Sequence, residues 1–151
     1  MPRYLEEYRV GHIERFGSYE VTREEVIEFA SRYDPQPFHL DDEAASANPI
    51  FGRVAASGWH TAAMTMRMLV DHNKDNEVTT AGSPGIDELR WLRPVYPGDT
   101  LRAESEVLDV RPLKSRAGLG AVKSRTTVFN QHGETVMTQL AAVFIPMRPE
   151  D

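Results

Sequence analysis

Between Ser57 and Val70 the chain carries a single formally charged residue, Arg67. Ala62, Ala63, Met64, Met66, Met68 and Leu69 put small or apolar side chains on every face of the helix that this spacing predicts, the pattern of a helix buried nearly all round. A lone helix of roughly 14 residues cannot bury itself, so the remainder of the chain must supply a wall.

The C-terminal half has the right pattern for that wall. Leu89 and Trp91 alternate with Arg90, and after Pro97-Gly98-Asp99 the residues Leu101, Ala103, Ser105 and Val107 alternate with Arg102, Glu104 and Glu106. A period of two is the mark of a strand with one buried face. The phase slips at Leu108 and Val110, which predicts a bulge. A loop containing Pro112, Lys114, Ser115 and Gly118 follows, then strands over 121–130 and 134–146 joined through Gln131-His132-Gly133, short enough for a hairpin. Both faces of the last strand are apolar from Leu140 to Ile145, so it belongs inside the sheet or under a second layer. The reading is four strands in a meander.

The N-terminal half is less regular. Residues 11–20 read as a first strand. Thr22 and Glu25 have the spacing of a capping box, and Val26, Phe29, Ala30 and Tyr33 follow at helical spacing, giving a helix over 23–33 that delivers Asp34 at its end. Asp41 caps a short helix over 42–47, which Asn48-Pro49 stops. The economical packing is an α+β fold, an antiparallel sheet wrapped round one long helix, in a single domain spanning 1–151. Its edge strands have to be covered or paired, which points to a homodimer or a higher even oligomer.

Composition narrows the partners. A net charge of -6 argues against nucleic acid. The absence of cysteine excludes a disulfide framework, a thiolate zinc site and a cysteine nucleophile. Residues 1–7 lack the apolar run of a signal peptide, and no window approaches the ~20 apolar residues of a membrane span, so a cytoplasmic protein with no membrane partner is expected. His12, His72 and His132 have no partners at metal-ligand spacing, and no metal is expected.

Chemistry concentrates in Tyr33-Asp34-Pro35-Gln36-Pro37-Phe38-His39. Two prolines keep the segment out of a helix, so Asp34 and His39 can face one point from a fixed loop. A carboxylate and an imidazole aimed at one water form a general acid/base pair. Read alone, the same residues also suit a turn aspartate and a structural histidine. Ser57 reads as an N-cap, with no G-x-S-x-G elbow around it, and His60 reads as a satisfied core histidine.

The ordered set of motifs resembles the MaoC-like dehydratase family, which includes (R)-specific enoyl-CoA hydratases and has the hot dog fold. The family signature of Asp, any residue, Asn, Pro, an aliphatic residue and His is matched at Asp34, Pro37 and His39, with Gln36 in place of Asn and Phe38 in place of the aliphatic residue. Ser57-Gly58-Trp59 matches the start of the family's central helix, Pro94 to Leu101 resembles its strand turn, and Asn130 to Glu134 resembles its final hairpin. The resemblance implies reversible hydration of a trans-2-enoyl-CoA to the (R)-3-hydroxyacyl-CoA, with Asp34 and His39 as acid and base and the Gly58 N–H as oxyanion donor. It further implies an acyl-CoA thioester as partner, no cofactor beyond the coenzyme A of the substrate, and substrate contacts from Tyr33, Phe38, Ser57 and Trp59. Met64, Met66 and Met68 suit helix packing or an acyl tunnel. For the coenzyme phosphates the available cations of the sheet half are Arg90, Arg93, Lys114, Arg116, Lys123 and Arg125; most suit a solvated strand face, and Lys114 and Arg116, in the loop containing Ser115 and Gly118, are the candidates. Two other readings share the fold: a thioesterase, which needs no His five residues after an Asp, and a non-catalytic acyl-thioester binding module.

Overall fold

The computed structural model describes residues 2–150. Strands β1 (Ile13–Glu20), β2 (Gly85–Trp91), β3 (Thr100–Pro112), β4 (Leu119–Phe129) and β5 (Thr135–Pro146) form one antiparallel sheet in the order β1-β3-β4-β5-β2. Against it lies α3 (Gly58–Asp75), whose Met64 and Met68 pack with Leu101, Ala103, Val128 and Val136 from the sheet. The wrapped-helix architecture expected from the patterning is present. The period-two residues Leu101, Ala103 and Val107 are buried, and the register shifts between Val107 and Asp109, where the phase slips in the sequence. In the hairpin after β4, Asn130 Oδ1 accepts hydrogen bonds from the N–H groups of His132 and Glu134, and Gly133 takes the left-handed turn position at φ 76°.

Helix α1 (Arg23–Tyr33) has the predicted limits, and Thr22 caps it by accepting from the Glu25 N–H at 3.2 Å. The box is only half formed, because the Glu25 side chain turns to Tyr19 and His60 instead of back to residue 22. Asp41 caps α2 (Asp42–Ser46) through the Ala44 N–H at 3.1 Å.

Two expectations need correction. Strand β2 does not open a meander: it pairs with β5 at one edge, while β3 pairs with β1 towards the other, leaving β3-β4-β5 as the meander. Had β2 paired with β3, β5 would be an edge strand despite its two apolar faces. The connection 92–99 makes the crossing possible by bonding to other segments on its way, through Ala56 N–H to Val95 O and through a reciprocal pair joining Val21 to Gly98 and Asp99.

Helix α3 is longer than expected, at 18 residues, and is not buried all round. Trp59, Met66 and Val70 are 59%, 52% and 51% exposed. One sheet can wrap one side of a helix; the other side stays open within a single chain.

Candidate active site

Helix α1 ends where it does because Asp34 precedes Pro35, and that residue leaves helical geometry at φ −150°, ψ 67°. Pro37 then starts a single 3-10 turn, Pro37–His39, that swings the His39 ring inwards. His39 is buried, and its Nδ1 lies 2.7 Å from the Ala55 carbonyl. A carbonyl can only accept, so Nδ1 carries the hydrogen and, in the neutral ring, Nε2 presents a lone pair. That nitrogen faces Asp34 Oδ2 at 3.4 Å.

The Asp34 carboxylate is held from both sides. Gln36 Nε2 donates to Oδ1 at 2.6 Å and Ser57 Oγ donates to Oδ2 at 2.7 Å. Burial alone would push its pKa up, but those two hydrogen bonds and the neighbouring His39 outweigh burial and hold it below the usual 3.8. Asp34 is therefore ionised at neutral pH.

Ser57 is also the N-cap of α3, accepting from the Trp59 N–H at 3.3 Å. The next residue, Gly58, begins the helix, and among the described residues its N–H meets no acceptor. An unpaired N–H at a helix start is polarised by the helix dipole towards an incoming anion. Glycine is required here for packing as well: a Cβ would sit 2.4 Å from a Trp91 ring atom.

Asp34, His39 and Gly58 line one cavity of about 420 Å³, together with Phe38 and Trp59. Of the expected substrate-binding residues, Phe38 and Trp59 thus reach the cavity. Ser57 stands behind Asp34 and is fully buried, so it orients the carboxylate. Tyr33 does not reach the cavity: it is 67% exposed and turns back against Phe29, since a residue on the last turn of α1 points along the helix face away from the loop. Lys114 and Arg116 are not at this site within one chain. They sit in the turn beyond Pro112, at the opposite end of β3 from the site, about 40 Å along an extended strand.

Other residues at the site are not singled out by the sequence. Gln36 drew notice only as a departure from a motif, yet its amide is the shortest bond to Asp34. Phe51 stacks on Phe38 at 5.0 Å, Trp91 meets Trp59 edge-on at 5.1 Å, and Arg93 is the one Lys or Arg lining the cavity, bridged to Glu134 at 3.2 Å. Only tertiary contact brings these three in, so no local pattern marks them. His60 is buried as expected but only half satisfied, because its Nδ1 has no partner. Among the described residues no group of three or more His, Asp or Glu is placed to hold a metal ion, and no helix is long and apolar enough to cross a membrane.

The family model for the MaoC like domain matches residues 11–129. The solved MaoC-like dehydratase of Rhodospirillum rubrum has a TM-score of 0.85 at 41% identity, over 98% of this chain and 99% of that one, so the wrapped-helix architecture is the hot dog fold. Among curated proteins, YdeM of Bacillus subtilis is 31% identical over 127 residues, 84% of this chain and 87% of its own length. The 3-hydroxyacyl-thioester dehydratase Z of Mycobacterium tuberculosis is 35% identical over 94 residues, and the match spans 62% of each protein.

Proposed function

Because the chain belongs to the MaoC-like dehydratase family, we propose that it reversibly hydrates a trans-2-enoyl-CoA to the (R)-3-hydroxyacyl-CoA. The family relationship supports a hydratase or dehydratase; the (R) product, the coenzyme A carrier and the residue roles are our reading. The observation that carries it is the approach of an ionised Asp34 carboxylate to within 3.4 Å of His39 Nε2, on the wall that also holds the Gly58 N–H.

Two acceptors side by side suit a water molecule, which has two protons to offer. In the proposed step Asp34 and His39 hold the water, and His39 Nε2 takes one proton as the oxygen forms its bond to the β-carbon. The alkene electrons move to the thioester oxygen, where the Gly58 N–H meets the growing charge. The proton on His39 then passes to the α-carbon, and the thioester carbonyl re-forms. Dehydration is the same path reversed. Every atom comes from water and the enoyl thioester, so the only coenzyme in the proposal is that of the substrate. Phe38 and Trp59 would flank the acyl group, and Arg93, half exposed at the cavity rim, is the cation available to a coenzyme phosphate.

We also assign a second copy of the chain to the open face of α3. Met66 and Val70 there, together with Ile86 on the unpaired edge of β2, expose apolar surface that a partner would cover.

The test is loss of enoyl-thioester absorbance when purified protein meets crotonyl-CoA and longer trans-2-enoyl-CoA substrates. Asp34→Asn and His39→Ala should each lower kcat by about 10²–10⁴ while the protein remains folded. Release of free thiol without hydration would instead establish a thioesterase, and binding with neither reaction a non-catalytic module.

A further inference from the structure

A second polar cluster lies at the other end of α1 from Asp34. His60, two residues after Gly58 in the first turn of α3, is 2% exposed, and its Nε2 lies 3.0 Å from Glu25 Oε1. Glu25 belongs to the first turn of α1. The same carboxylate oxygen accepts the Tyr19 hydroxyl from the end of β1, and Phe29 stacks on the imidazole with 4.8 Å between ring centroids. The carboxylate accepts, so Nε2 carries the hydrogen and Nδ1 is a bare acceptor. That Nδ1 is buried without a partner.

This arrangement works against local stability twice. An unpaired buried acceptor is unfavourable, and Glu25 forgoes the return half of its capping box. A core residue chosen for stability alone would be leucine or phenylalanine. What the cluster provides is a tie between two helices. Among the described residues, two side-chain hydrogen bonds join residues 23–34 to α3 and its N-cap: Glu25 to His60 at one end and Asp34 to Ser57 at the other. The two are separated by about 13 Å of helix. Between them a cleft of about 300 Å³, lined by Tyr19, Glu25, Phe29, Tyr33, His60 and Met64, leaves the seam incompletely packed. Val26 and Ala30 bury one face of α1, while at its first turn the bond that spans this cleft to α3 is Glu25–His60.

We propose that Tyr19, Glu25 and His60 are positioning residues for the hydration: they seat α1 on α3 and so keep Asp34 on Ser57, in line with His39 Nε2 and the Gly58 N–H. The inference rests on the function proposed above. None of the three touches the substrate cavity; they act through a rigid helix whose far end carries the carboxylate.

His60→Leu removes the tie and the unpaired nitrogen together, so it should leave the melting temperature unchanged or raised. In that variant kcat for enoyl-CoA hydration should fall about tenfold with KM within about twofold. The Asp34 carboxyl, followed by carbon-13 NMR, should titrate about 0.5 pH higher as its bond from Ser57 loosens. Glu25→Gln, whose amide oxygen still accepts from Tyr19 and His60, should remain near the parent in both readouts. A folded His60→Leu protein with unchanged Asp34 titration, or with the titration moved and kcat intact, overturns the proposal. Should the parent hydrate no enoyl thioester, that failure belongs to the proposed reaction, and the Asp34 titration still decides whether the cluster positions the carboxylate.

Discussion

At Asp34 three neighbours act on one carboxylate: Gln36 on Oδ1, Ser57 on Oδ2, and His39 across 3.4 Å. The family signature has Asn where this chain has Gln36. The longer side chain loops back two residues to reach Oδ1, so the departure preserves a donor to the carboxylate. Gln36→Ala removes that donor, and the charged form of Asp34 loses support. Its pKa then rises towards the ordinary 3.8. Followed by carbon-13 NMR, the Asp34 carboxyl of that variant should titrate about 0.5 to 1 pH higher than the parent's. Gln36→Glu would instead set a second carboxylate against the first and move that titration further in the same direction. An Asp34 titration that coincides with the parent's for Gln36→Ala would show that Ser57 and His39 suffice.

Among the elements, the decisive join is α3 against the end of β2. Trp91 closes on the Gly58 Cα so tightly that a methyl group there would fall 2.4–2.8 Å from three ring atoms. Trp91 also meets Trp59 edge-on, so the indole is not free to retreat on that side. Gly58→Ala should therefore lower stability by about 1–3 kcal/mol, read as a fall in melting temperature. Combining it with Trp91→Leu should recover part of the loss, since the obstructing ring is then gone, and the two changes should be non-additive. Simple additivity would mean that the ring moves aside at little cost. The same join explains why glycine at this position was legible while its reason was not: the motif marks Gly58, but Trp91 lies 33 residues further along the chain, at the end of β2.

For the whole molecule, one sheet and one central helix leave a surface that a single chain does not cover. Met66, Val70 and Ile86 line one cleft beside the β2 edge and are each about half exposed. At the other edge β1 carries Glu14, Arg15 and Glu20, with a register break between Phe16 and Tyr19, devices that discourage pairing. The β2 side is thus the one to expect in a dimer. Light scattering on the parent should give twice the chain mass of 17.0 kDa, and Val70→Glu with Ile86→Asp should give the single-chain mass with helical content retained. A parent that scatters at the single-chain mass would leave this face open and remove the dimer from the proposal.

Features that depend on near neighbours were legible from the residues alone. The limits of α1, the caps at Thr22 and Asp41, the alternation in β3 with its bulge, and the proline-bounded loop from Asp34 to His39 all follow from rules acting over a few residues. The interior place of β5 was legible too, because a strand apolar on both faces is unfavourable at an edge. Long-range packing settled which strand flanks β5, which donors reach Asp34, which way Tyr33 turns, and that Lys114 and Arg116 lie at the far end of β3. Those outcomes depend on contacts between segments far apart in the chain, where burial and hydrogen bonding are settled by the competition among whole packings and not by the residues on either side.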